Sequence, residues 1–203
     1  MSNQRGRFIV FEGIDGSGKS TQSQLLADYL ISQGRKVHIT RQPSDRFVGK
    51  AIREVLEKRQ VLPPQALAGM FLADRYDHIL GEDGILSYLD QGIDVICDRY
   101  FWSSFAYHGL DMDIQFVIDV HKEIIDILMP DITFFIDLLP ADAISRIAKR
   151  SAQRDLFEKE SLLTTIRQNY LFAFEQFDSA NIIKIDGNQA MDKVQSDLVR
   201  ELI

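Results

Sequence analysis

Three features of this 203-residue sequence predict an α/β fold, a parallel sheet covered by helices on both faces. Short apolar runs alternate with stretches of helical periodicity along the whole chain. The first run, Phe8-Ile9-Val10-Phe11, leads directly into Gly13-Ile14-Asp15-Gly16-Ser17-Gly18-Lys19-Ser20, which meets the phosphate-loop pattern G-x-x-x-x-G-K-[ST] at every fixed position. A helical pattern then follows over 22–31, with Leu25, Leu26, Tyr29 and Leu30 on one side. Strand, loop and helix in that order form the setting the pattern requires. Together they predict a three-layer sandwich of the P-loop NTPase type, with a five-stranded parallel sheet flanked by helices. The expectation is one domain over 1–203, with a short lid at about 146–158.

The remaining elements follow in order. Gly34 closes the first helix, as a C-terminal glycine does. Val37–Thr40 is the second strand and delivers Arg41-Gln42-Pro43-Ser44 to its C-terminal end, where open α/β sheets bind ligands. A short helix covers 47–58, and Pro63-Pro64 opens the next, which runs to about Asp90 with a break near Gly81–Gly84. The third strand, 93–97, ends in Asp98-Arg99-Tyr100. Phe101–Tyr107 starts a helix, and Ile114–Leu128 reads as one further helix, stopped by Pro130. The fourth strand is 132–136, and helices follow at 141–149 and 158–177. Asn181–Ile185 is the fifth strand, and 189–202 the closing helix. Right-handed crossovers bring the strand ends to one crevice, so Lys19, Arg41 and Asp98-Arg99 converge despite their separation.

Composition narrows the class. A net charge of −7 disfavours a non-specific nucleic-acid binder but accommodates a nucleotide, which needs only a local cation cluster. Cys97 is the sole cysteine, so an internal disulfide is ruled out, in keeping with a reducing cytoplasm. No apolar run approaches the roughly 20 residues of a membrane span, and residues 1–7 lack the apolar region of a signal peptide.

The residue types state the chemistry. Glycines let backbone N–H groups curl around an anion, and the helix start adds its dipole and free donors. In this pattern Lys19 reaches the β- and γ-phosphates of a nucleoside triphosphate, Ser20 ligates Mg²⁺, and Asp98, at a strand end, is the second metal-holding residue, directly or through water. A phosphate loop alone does not separate a kinase from an ATPase or a switch. Arg41, Arg75 and Arg99 are placed to hold a second phosphate group, for which the planar guanidinium is suited. Taken singly each also reads as a solvated arginine, and Arg75 stands open between the two. Arg146, Arg150 and Arg154, four apart, line one side of a helix, either as a mobile cationic lid over the transferring phosphoryl group or as a solvated face. Of the aromatic set Phe71, Tyr100, Trp102, Phe105 and Tyr107, most should be core, with a subset left as a platform for a flat base.

These residues together resemble the thymidylate kinases, over essentially the whole chain. Residues 11–21, Phe-Glu-Gly-Ile-Asp-Gly-Ser-Gly-Lys-Ser-Thr, are close to the family's phosphate loop. Thr40-Arg41-Gln42-Pro43 resembles T-R-E-P, and Phe71-Leu72-Ala73-Asp74-Arg75 resembles F-x-A-x-R. Asp98-Arg99-Tyr100 through Ser103, with Ala106-Tyr107-His108-Gly109, resembles D-R-Y-x-x-S-x-x-A-Y-Q-G, the most family-specific block. Asp155-Leu156-Phe157-Glu158 resembles the lid's D-R-F-E. The resemblance implies that Gly13, Ile14, Asp15, Gly16, Ser17, Gly18, Lys19, Ser20 and Thr21 bind ATP with Mg²⁺. It implies that Asp15 contacts the acceptor's 3′-hydroxyl, and that Arg41 and Arg99 hold the acceptor phosphate. Phe71 would stack on thymine, Arg75 would bond its edge, and Ser103 or Ser104 would lie beside it. Tyr107 would pack under the deoxyribose. Lys19, Arg99, Arg150 and Arg154 would be catalytic, with Arg150, together with Arg146 or Arg154, as the lid cation, because Gly16-Ser17 stands where one branch of the family carries an arginine. A homodimer is the family's usual state, for which Phe116, Val117, Val120 and Ile124 are candidates if they are not core. Gln42, His108 and Leu156 depart from glutamate, glutamine and arginine.

The leading expectation is therefore ATP-dependent phosphorylation of dTMP to dTDP. The alternatives are a kinase of the same fold acting on another nucleoside monophosphate or a nucleoside, and a nucleotide-binding switch or ATPase. A nucleoside kinase does not need both Arg41 and Arg99 aimed at an acceptor phosphate.

Overall fold

The structure is a computed structural model, and it describes residues 5–57, 59–149 and 156–202. Five strands, β1 (Phe8–Glu12), β2 (Val37–Arg41), β3 (Asp94–Asp98), β4 (Ile132–Asp137) and β5 (Ile182–Asp186), form one parallel sheet in the order β2-β3-β1-β4-β5. Helices α1 (Lys19–Ser32) and α10 (Met191–Leu202) cover one face. The other face carries α3 (Pro64–Leu80), α4 (Ile85–Asp90), α5 (Phe101–His108), α6 (Ile114–Asp119), α7 (Lys122–Ile127), α8 (Pro140–Ala148) and α9 (Leu156–Glu175). Helix α2 (Phe47–Leu56) follows β2. This is the three-layer α/β sandwich expected.

Strand periodicity explains the two cores. Side chains of successive strand residues point to opposite faces. In β1, Phe8 and Val10 join the larger core with Trp102, Phe105 and Tyr170, whereas Ile9 and Phe11 join the smaller one with Leu26, Leu30 and Leu198. All five β1 residues are buried, as a central parallel strand demands.

The sequence reading of 65–90 as a helix broken near Gly81–Gly84 matches α3 and α4. The single helix expected over 114–128 is instead α6 and α7. The His121 ring occupies the Val117 carbonyl (Nδ1 to O, 2.7 Å), while the His121 backbone N–H turns to Ile118 at 3.0 Å. That exchange breaks the i→i−4 ladder. Of the four apolar residues with a possible interface role, Val117 and Ile124 are core, while Phe116 is 54% exposed. Trp102, Phe105 and Tyr100 are likewise fully buried core aromatics.

At the opposite end of the sheet from the phosphate loop, Asp94 ties three elements together. Its buried carboxylate accepts from the Arg7 N–H (2.8 Å) and guanidinium (2.9 Å) and from Arg35 Nη2 (2.7 Å) and Nε (3.0 Å). Burial raises its pKa, but the bonds from Arg35 and Arg7 outweigh it, and the carboxyl sits below its ordinary range. Its contribution is thus present above that range and lost as pH falls through the lowered value. Asp94→Ala is expected to destabilise the fold by about 1–2 kcal/mol, through loss of charge-assisted hydrogen bonds to two arginines that water can still reach, and chemical denaturation at neutral pH measures it.

Candidate active site

The sheet order reverses at β1, with β3 on one side and β4 on the other, and the site forms at their C-terminal ends. Phe11 stands opposite Asp98 in the register, and the Arg99 N–H donates to the Phe11 carbonyl at 2.9 Å. Phosphate loop and Asp98-Arg99 therefore emerge side by side. The loop turns through glycines where a side chain would clash, as at Gly13, or strain a left-handed backbone, as at Gly18. A Cβ on Gly13 would lie 2.7 Å from the Ile136 carbonyl, and Gly18, which starts α1, has φ +96°.

Lys19 lies in the crook of the loop, 6% exposed, with Nζ 3.4 Å from the Ile14 carbonyl and 3.8 Å from Asp15. Burial, then the nearby Arg99 cation, pull its pKa down to about 8 against Asp15, Asp98 and Glu12. An ammonium so poorly compensated favours a strongly anionic ligand. The Ser20 hydroxyl donates to Asp98 Oδ2, while Oδ1 of Asp98 is buried without a partner. A hydroxyl and a carboxylate with one orphaned oxygen, at the mouth of a phosphate loop, are hard oxygen donors. They fit a Mg²⁺ that arrives with a triphosphate, held directly or through water.

Arg99 links the two halves of the site. Its Nη2 donates to Asp15 (2.5 Å) and to Tyr107 Oη (3.0 Å), and its Nη1 to Ser103 Oγ (3.0 Å) and Tyr170 Oη (3.2 Å). The guanidinium also lies over the Tyr107 ring, 4.8 Å from its centre. Burial disfavours its charge, but Tyr107, Tyr170, Asp15 and Glu12 more than offset this, and the cation persists at any working pH. Arg99 has φ +71°, a left-handed backbone that costs a non-glycine residue energy and clusters at functional sites. Beneath it, the fully buried Glu12 accepts from the N–H groups of Tyr100 (2.7 Å) and Ser103 (3.2 Å) and from the Tyr170 hydroxyl (2.8 Å). Burial raises its pKa. Glu12 thereby fixes the start of α5, which carries Ser103, Ser104 and Tyr107.

A cavity of about 410 Å³ opens beside this cluster. Asp15, Arg99, Ser103, Ser104, Tyr107, Phe71 and Arg75 all line it, so seven of the eight acceptor-side residues expected from sequence share its wall. Arg41, the eighth, does not: it is on the surface, paired with Asp45 at 3.0 Å. Its neighbours Gln42 and Pro43 line the cavity instead. Arg75, which the sequence left open between solvated and functional, is 1% exposed and donates through Nε to Gln42 Oε1 at 2.7 Å. His108 lines the cavity too, 5.2 Å from Phe71 ring to ring. A second hollow of about 220 Å³ lies on the other side of the phosphate loop, between Gly16–Gly18, Thr21, Arg146 and the 187–194 segment. Arg146 is anchored there by the Gly187 carbonyl at 2.7 Å. Arg150 and Arg154 lie outside the described residues.

Sequence reasoning missed Glu12, Tyr170 and His121 as contributors. Tyr170 sits 71 positions from Arg99, on a helix whose apolar spacing reads as ordinary core, and no local signal distinguishes it.

Fold, phosphate loop and paired hollows define a P-loop nucleotide-binding protein. The family model for thymidylate kinase matches residues 11–198. A thymidylate kinase of Rickettsia canadensis is 44% identical over 149 residues, 72% of each chain, and one of Rickettsia conorii is 44% identical over 154 residues, 74% of each. A putative thymidylate kinase of Treponema pallidum is 34% identical over 200 residues, 96% of this chain and 94% of its own. The chain belongs to the thymidylate kinase family.

Proposed function

We propose that this protein transfers the γ-phosphoryl group of ATP to dTMP, giving dTDP and ADP. The observation that carries this reading is the Arg99–Asp15 contact at 2.5 Å, which makes the phosphate loop and the 410 Å³ cavity two sides of one wall. The triphosphate lies in residues 13–21, and its nucleoside in the hollow beside Arg146. The acceptor's phosphate lies against Arg99, its sugar between Asp15 and Tyr107, and its base between Phe71, Arg75, Ser103 and Ser104. Arg41 joins by leaving an exposed ion pair with Asp45, a change that costs little.

An oxygen of the acceptor phosphate attacks the γ-phosphorus in line, as the bond to the β,γ-bridging oxygen breaks. An ionised phosphate is already nucleophilic, so no general base is needed. Lys19 stabilises charge on the β- and γ-oxygens, Arg99 orients the nucleophile, and Arg150 and Arg154 close over the equatorial oxygens. Mg²⁺ held through Ser20 and Asp98 supplies further charge neutralisation when bound. The chain acts as one kinase domain over 1–203 with its lid at about 146–158, as a cytoplasmic homodimer without nucleic-acid or membrane partners. Among the described residues no helix is long and apolar enough to cross a membrane.

A coupled assay of ADP release with ATP and each deoxynucleoside monophosphate tests the reading. Preference for dTMP is expected; no turnover of dTMP beside brisk turnover of another nucleotide contradicts it. The same assay checks the sugar contact. Tyr107→Ala opens space where a 2′-hydroxyl would go, and is expected to reduce the preference for dTMP over its ribonucleotide by about tenfold, the value of one steric or apolar contact.

A further inference from the structure

Arg75 lies in the wall of the cavity, almost fully buried, and the groups it donates to are all neutral. A guanidinium carries five N–H donors. Nε donates to Gln42 Oε1 (2.7 Å), Nη1 to Ser104 Oγ (3.0 Å) and towards His121 Nε2 (2.6 Å), and Nη2 to the Tyr100 carbonyl (3.3 Å). Four donors are thus engaged, and one N–H on Nη2 is left for a ligand in the cavity. No carboxylate among the described residues accepts a hydrogen bond from the group; Glu12 and Asp74 act on it only through space, so the remaining N–H stays available to a ligand's carbonyl oxygen.

Of these partners, His121 is itself held on two sides. It is 2% exposed and does not line the cavity. It lies just beyond α6, whose last carbonyls have no partner within the helix. The Val117 carbonyl can only accept, so Nδ1 of His121 carries the proton and Nε2 presents its lone pair to Arg75. Phe105 stands edge-on to the ring, 5.4 Å away at 90°, and holds its plane. A protonated Nε2 would set N–H against N–H at 2.6 Å.

We propose that His121 is a positioning residue of the acceptor-base subsite: as the Nδ1–H tautomer it accepts from Arg75 and aims the remaining Nη2 N–H at the carbonyl edge of the base. It touches no substrate. Its effect passes through Arg75, which without it has a buried donor unsatisfied and turns to find another acceptor. This rests on the acceptor reading given above.

The test is steady-state kinetics of wild type, His121→Phe and His121→Gln, varying dTMP and ATP separately. His121→Phe keeps a flat ring and removes the acceptor; His121→Gln restores a neutral acceptor on a different frame. Expected for the phenylalanine variant is a KM for dTMP raised roughly ten- to a hundredfold, the value of a hydrogen bond to a charged group, with KM for ATP unmoved and the preference for dTMP over dCMP reduced. Glutamine is expected to restore most of the loss. A wild-type KM for dTMP in His121→Phe, equal rises in both KM values, or glutamine no better than phenylalanine overturns the proposal. Nitrogen NMR of the wild-type imidazole tests it without any variant: a protonated Nδ1 with a bare Nε2 supports it, and a protonated Nε2 overturns it. A wild type that turns over dTMP while these results fail removes the role of His121 alone; a wild type that ignores dTMP removes both readings.

Discussion

Arg99→Ala is expected to lower kcat/KM for dTMP by about a thousandfold or more, the scale of losing a phosphate-orienting arginine in phosphoryl transfer. The side chain holds Asp15, Tyr107, Ser103 and Tyr170 at once, so its removal frees the loop side of the wall and the sugar side together. KM for ATP should move little, because in the proposed reaction the loop's own N–H groups and Lys19 hold the triphosphate. Arg99→Lys should recover little of the loss, since an ammonium cannot span four partners in one plane. Removing the cation also withdraws the partner that holds the Asp15 carboxyl below its ordinary range against local desolvation, so Asp15 should titrate higher in the variant. An ATPase or switch predicts a different pattern, namely hydrolysis that needs no acceptor and is indifferent to Arg99.

Lys19→Met is expected to cut kcat about a hundred- to a thousandfold, as loss of one preorganised donor does, while leaving the protein folded. The sign of its stability effect follows from burial. In the free protein the ammonium titrates near 8 rather than 10.5, so its charge is disfavoured by folding. Stability therefore rises as pH climbs from about 8 towards the unfolded value. The methionine variant lacks that penalty, so its melting temperature at neutral pH should equal or exceed that of wild type. The gap should narrow above pH 8. A triphosphate restores the charged form, so ATP binding just above pH 8 should take up protons, measurable by calorimetry in buffers of different ionisation enthalpy. A variant that mainly unfolds would show that Lys19 is a packing residue.

Much of this was legible because the chemistry is carried by short local patterns. The phosphate loop needs strand, glycines and helix in sequence, and the periodicities around it set the five strands and most helices near their observed ends. Asp98 and Arg99 were legible because a strand end in an open sheet faces the ligand crevice. What escaped is tertiary. His121 breaks a helix by taking a carbonyl with its ring, an event that apolar spacing does not encode. Arg41 follows its strand into the right neighbourhood, yet its side chain pairs with Asp45, a choice set by the loop geometry after β2. That loop is pinned by the buried Asp74, which accepts from the Ser44 N–H at 2.8 Å and hydroxyl at 2.5 Å. The hydrogen-bonded cradle of Arg75 draws on α5 and on the segments after β2, β3 and α6, which no single window contains.

In the proposed reaction two nucleotides meet across one wall and exchange a phosphoryl group. Phosphorus NMR of the protein with ATP, Mg²⁺ and dTMP tests it most directly. The β-phosphate signal of dTDP is expected to grow in step with ADP, with little inorganic phosphate. Inorganic phosphate appearing in step with ADP, and no dTDP, would contradict it.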